Sequence, residues 1–218
     1  MPRATGWLRT LKQDPSQMEE AIREGRERLK TETDPRWIAS LERSLRNMGQ
    51  RLETLPLLEL QLPAWTFSGS LEFYGTRRRA ELLEVTPAHT AHELYLLLPE
   101  DHIAFIGDLG FFQCQPYMAF CEPQAWIEQI ERLEQAAIEI LVPGHGPLGT
   151  KADLALQKQY IAILPRLVVE AITEGLSPGE LIQRDLPPPF QAWLHGGMLR
   201  WEANVHALYE RLSSGVGT

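Results

Sequence analysis

Thiols, positive charge and long apolar runs are all scarce in this 218-residue chain. The two cysteines, Cys114 and Cys121, are too few for a disulfide framework and are not spaced as a CxxC metal knuckle. Both read as ordinary reduced thiols. No stretch reaches the ~18 apolar residues of a membrane span. The opening residues, Met1 to Trp7, run into a charged segment and lack the apolar core of a secretory signal. The expected setting is therefore cytoplasmic, with no membrane partner. Lys and Arg number 21 against 29 Asp and Glu, a net charge of −8. That balance argues against nucleic acid as a partner, since phosphate binding needs a basic face. The one basic run, Arg77-Arg78-Arg79, lies between apolar segments and reads as a solvated strand end. No glycine-rich phosphate loop and no nucleophile-elbow serine is present.

What is present is an ordinary globular mix, 44% apolar and 23% charged. Two helices are expected first. Ser16-Gln17-Met18-Glu19 has the form of a capping box, and Asp34-Pro35 pairs a capping Asp with Pro at the first helical position. Trp37, Ile38, Leu41, Leu45, Met48 and Leu52 then recur at spacings of three and four, an apolar stripe on one helix. The texture changes at Leu55-Pro56. Short β-like runs follow at 65–68, 71–74, 79–85, 93–98 and 102–106, divided by turn-forming residues. A helix is expected over 123–135 and a compact apolar strand over 138–142. The last third is helical: 152–174 with Pro165 inside, a capping box at Ser177-Pro178-Gly179-Glu180, a stiff connector at Pro187-Pro188-Pro189, and a closing helix over 199–212. Trp126, Trp193 and Trp201 read as core anchors. The layout suggests a helical segment 1–55, a sheet and helix region 56–150 and a helical region 151–218. Together these make a sheet covered by helices.

Three short motifs stand where strands are expected to end. They are Thr86-Pro87-Ala88-His89-Thr90, Gly107-Asp108 and Pro143-Gly144-His145-Gly146-Pro147. Strand ends anchor a side chain firmly while loops leave it accessible. Two imidazoles and a carboxylate are suitable zinc ligands, and a carboxylate has two oxygens with which to bridge two cations. Singly, a His after a strand is more often structural and Gly107-Asp108 is an ordinary turn, while Pro143-Gly144-His145-Gly146 is the stronger signal, since no common turn type needs a His there. Together, in this order, they are informative.

The run from about Leu82 to Lys151 resembles the second half of a metallo-β-lactamase-fold hydrolase. That family shows a His-Thr turn, a Gly-Asp after a strand and a Pro-Gly-His-Gly after a buried strand. The segment Arg200-Trp201-Glu202-Ala203-Asn204-Val205 also resembles the tail of some members. The resemblance implies an α/β (α+β) fold, a partial αββα sandwich with added N- and C-terminal helices. It implies a zinc-dependent hydrolase of a small-molecule substrate. His89 and His145 would each bind one metal, and Asp108 would bridge both as the catalytic carboxylate. Phe111, Phe112 and Tyr117, which follow Asp108, would line the substrate cleft. The family's upstream His-x-His-x-Asp-His cluster is missing: the six histidines are 89, 92, 102, 145, 195 and 206, and no two are spaced by one residue. The chain therefore reads as a relative that starts late, with half its ligand set and little or no activity alone. His92 and His102 read as strand-start residues, His195 as a flexible alternative ligand and His206 as a surface or packing residue. The competing expectation is a non-catalytic remnant or interaction protein, dimeric through a sheet edge left without a neighbour.

Overall fold

The structure is a computed structural model that describes residues 15–59, 61, 63–194 and 197–214. They fall into two compact units. One lies within Met1–Thr66 with His195–Leu199, the other within Phe67–Leu194 with Arg200–Thr218.

The first unit is built on an α-helical pair, α1 (Ser16–Thr31) and α2 (Pro35–Thr54). Asp34 caps α2 as its position predicts, its Oδ1 accepting from the Arg36 N–H at 2.8 Å. The expected capping box on α1 does not form. Pro15 occupies the N-cap and makes no side-chain cap hydrogen bond. Ser16 is already helical, so its hydroxyl has no cap position to fill. The apolar stripe of α2 buries Trp37 and Leu41, and the Arg28 guanidinium of α1 lies 4.2 Å over the Trp37 ring.

The second unit is a five-stranded sheet in sequence order: β1 (Ser70–Tyr74), β2 (Arg79–Val85), β3 (Glu93–Leu98), β4 (Ile103–Phe111) and β5 (Ile140–His145). The first four strands pair antiparallel. β5 joins β4 in parallel after a crossover through α3 (Pro123–Gln135). The run 65–68 is not a strand; Gly69 turns the chain with φ 81° just before β1 begins. The helices α4 (Lys151–Thr173), α5 (Pro178–Ile182) and α6 (Met198–Ser213) follow. Capping boxes open α4, at Thr150 and Asp153, and α5, at Ser177 and Glu180.

Strand alternation sends Ala104, Ile106 and Leu141 to one face, where each is fully buried. Trp126, Ile130 and Leu133 of α3 and Leu154, Ile161, Leu164 and Val168 of α4 are among the buried residues of the helical layer. A buried polar network ties this core. Asn204 accepts from the Met118 N–H and donates to Pro116 O, both at 2.8 Å. Gln157 bonds the Phe111 N–H and Leu109 O, and Tyr160 donates to Gln115. The opposite face carries the continuous row Leu71, Leu82, Leu96, Phe105 and Val142 across all five strands. None of the five is buried.

Candidate functional site

His89 sits in the loop after β2. That loop is pinned on both sides: the Ala88 N–H donates to Thr90 O, and Ala88 O accepts from the Glu122 N–H beside the start of α3, both at 2.9 Å. The ring is buried between Phe111 and Trp126, at centroid distances of 5.2 and 5.0 Å. Neither ring nitrogen makes a hydrogen bond. The nearest acceptor to Nδ1 is Glu93 Oε1 at 3.5 Å, followed by Asp108 Oδ2 at 4.0 Å.

Asp108 does not follow the end of a strand, as its motif suggests. β4 runs on to Phe111, and Asp108 lies within it at an irregularity in the pairing with β5. Gly107 makes this possible by adopting φ 50°. The shift turns the carboxylate towards both histidines, with Oδ1 3.5 Å from His145 Nε2. β5 likewise extends through Pro143 and Gly144 to His145, which pairs with Phe111. The two rings stack at 4.7 Å and 17°. Gly144 is needed here, since a Cβ at that position would overlap Asp108 Oδ1 and the Gly107 backbone. Gly146, at φ 96°, passes so close to the Phe112 carbonyl that no side chain fits.

The structure thus gathers His89, Asp108 and His145, with Phe111 as the ring on which both imidazoles rest. Phe112 is a buried core residue. Tyr117 is half-buried, with the Arg200 guanidinium 4.6 Å over its ring and Phe120 against its edge. His92 points to solvent and approaches Glu84 at 3.8 Å. His102 bonds Ala137 O through Nδ1, and His206 is exposed. His195 lies outside the described residues. Sequence reasoning passed over Glu93, which reads as an ordinary strand start; its i+4 spacing from His89 was the available signal. Burial pushes its carboxyl up. The His89 ring and the Thr90 hydroxyl, which donates at 2.6 Å, outweigh that and hold it below the usual carboxylate range.

Two imidazoles and a shared carboxylate suit zinc in kind, and His89 Nε2, buried without a hydrogen-bond partner, is suited to a ligand role. Their spacing does not suit it. A zinc site takes about three or four protein ligands. Among the described residues, no group of three or more His, Cys, Asp or Glu is gathered closely enough to hold a metal ion.

The family model of the metallo-beta-lactamase superfamily matches residues 18–145, a span that includes all three gathered side chains. A linear primary-alkylsulfatase from Pseudomonas sp. is 24% identical over 141 residues, covering 60% of this chain and 26% of the relative. This chain therefore spans about a quarter of the length of that curated relative. The metallo-beta-lactamase family protein TTHA1429 from Thermus thermophilus superposes with a TM-score of 0.53 at 15% identity, over 94% of this chain and 62% of its own. A double mutant of a sec-alkyl sulfatase gives a TM-score of 0.50 at 17% identity, over 67% and 26%. At those identities the two structures speak for the fold, and the family model for descent: the chain belongs to the metallo-beta-lactamase superfamily.

Proposed function

We propose that this chain is a metal-dependent hydrolase component acting on a small-molecule substrate, with His89, Asp108 and His145 as its contribution to a zinc site. Asp108 is the shared carboxylate and the catalytic candidate. The observation that supports this most is the state of His89, buried with Nε2 free of any hydrogen bond and with Nδ1 no closer than 3.5 Å to the Glu93 carboxylate. A buried polar group left unpaired costs about 1–3 kcal/mol, and a purely structural histidine avoids that cost. His102 does so, bonding Ala137 O at 2.9 Å. With only part of a ligand set, the chain by itself is weakly active or inactive.

A second reading has its own support. The lack of any three-donor group among the described residues favours a non-catalytic protein that retains these side chains by descent. Metal content of the purified chain, measured beside its melting temperature with and without added zinc, separates the two. Near-stoichiometric zinc, lost in His145→Ala and Asp108→Asn, supports the hydrolase reading. A primary alkyl sulfate is then the first substrate to assay, given the activity named for the Pseudomonas relative. No bound zinc and no zinc-dependent shift in melting sinks it in favour of the non-catalytic reading.

A further inference from the structure

Arg200 and Asn204 lie one turn apart on α6 and so share a face of that helix. Asn204 uses this face to clamp a loop: its side chain bonds the Met118 N–H and the Pro116 carbonyl, both at 2.8 Å. Tyr117 stands between those two anchors, and the Arg200 guanidinium rests 4.6 Å over its ring. The loop is also held through Gln115, which accepts from the Tyr160 hydroxyl at 2.9 Å. It leads on from Phe111, the ring against which both imidazoles rest. Asp108 is near enough for its charge to favour the charged form of Arg200. Among the described residues, however, no hydrogen bond or ion pair engages the guanidinium. Asp108 directs its oxygens at the imidazoles instead. An arginine without an ion pair is ordinary on an open surface. Arg200 differs because packing takes water from it: burial holds it below its usual value, against the pull of Tyr117, Tyr160, Cys114 and Asp108 towards the charged form. A cation that has lost water and gained no anion is costly until a ligand supplies one.

We infer that Arg200 is an anion-binding residue beside the candidate site and takes the oxyanion group of a small organic molecule. Contact with an aromatic ring occupies the face of a guanidinium and leaves the N–H donors at its edge, a fork that matches two oxygens of a carboxylate, sulfate or phosphate. Phe120, 72% exposed and edge-on to Tyr117 at 5.6 Å, offers a surface to the apolar body of the same molecule. The ligand so defined is an organic anion with an apolar part. That this ligand is the substrate rests on the hydrolase reading of His89, Asp108 and His145; its binding to Arg200 does not.

The test is calorimetric titration of the full chain, at low ionic strength and with a chelator present, using hexyl sulfate, hexanoate and the neutral hexan-1-ol. At least one of the two anions is expected to bind at one site per chain, at least about tenfold more tightly than the alcohol. Arg200→Gln lowers that affinity at least about tenfold with unchanged circular dichroism. Arg200→Lys, which keeps the charge without the planar fork, loses less. Arg166→Gln, exposed on α4, leaves binding unchanged. Should the Arg200 variants fail to fold, the parent chain decides: added salt weakens binding of the anion and not of the alcohol. No binding of either anion overturns the proposal. So does an alcohol that binds as tightly as the anions, and so does anion binding that survives Arg200→Gln or is indifferent to salt. Zinc content of the same preparations answers the hydrolase reading separately. Anion binding without zinc keeps the role of Arg200 and removes its ligand's claim to be a substrate. Zinc without anion binding removes the role of Arg200 and leaves the hydrolase reading standing.

Discussion

His89 and Glu93 show how one side chain's surroundings fix another's chemistry. Glu93 is depressed by the His89 ring and the Thr90 hydroxyl despite its partial burial. A carboxyl with a lowered folded-state pKa contributes stability that is complete above its unfolded value and is lost as pH falls through the folded one. Denaturant unfolding followed from about pH 6 to about pH 3 is expected to show this decline, and Glu93→Gln to flatten it. Equal declines in both proteins would remove Glu93 from the account. The cysteines give a second test. Burial pushes the Cys121 thiol up to about 11, so almost no thiolate exists near neutral pH. Iodoacetamide applied to the native chain should leave Cys121 unmodified by mass spectrometry and should label it once the chain is unfolded. Labelling at the unfolded rate in both states would contradict the buried placement.

At the scale of elements, caps and close approaches set the site. Thr150 closes a capping box with Asp153 at the start of α4, the helix that carries Gln157 to the Phe111 backbone. Thr150→Ala should cost about 1 kcal/mol in equilibrium unfolding, the usual value of such a cap. No change would mean that the end of α4 is held by packing alone. Asn204 of α6 satisfies the Met118 N–H and the Pro116 carbonyl inside the core. Asn204→Ala strands both and should cost about 2–4 kcal/mol by the same measurement. A loss below about 1 kcal/mol would mean that water enters and replaces the amide. Much at this scale was legible beforehand. Asp34-Pro35, Ser177 to Glu180 and the helix 123–135 carry their own start signals, and the structure has each. Ser16 carries a similar signal but is itself helical, because Pro15 takes the cap position. The run 65–68 has strand-like residues without strand structure.

At the scale of the whole chain, local pattern and tertiary arrangement divide the work unevenly. The residues alone determined which segments alternate, which helices begin where, and that two histidines and an aspartate stand at turns in a recognisable order. These are local properties, set by side-chain chemistry and by periods of 2 and 3.6 residues. Only the tertiary structure decided that β4 continues past Gly107 with a shifted register, since the shift arises from its pairing with β5. That shift turns Asp108 between His89 and His145. Only the packing of Trp126 and Phe111 decided that His89 is buried without a hydrogen bond, and separated Phe111, beneath both imidazoles, from Phe112 in the core. Such placements depend on contacts between segments far apart in the chain, which no local pattern encodes.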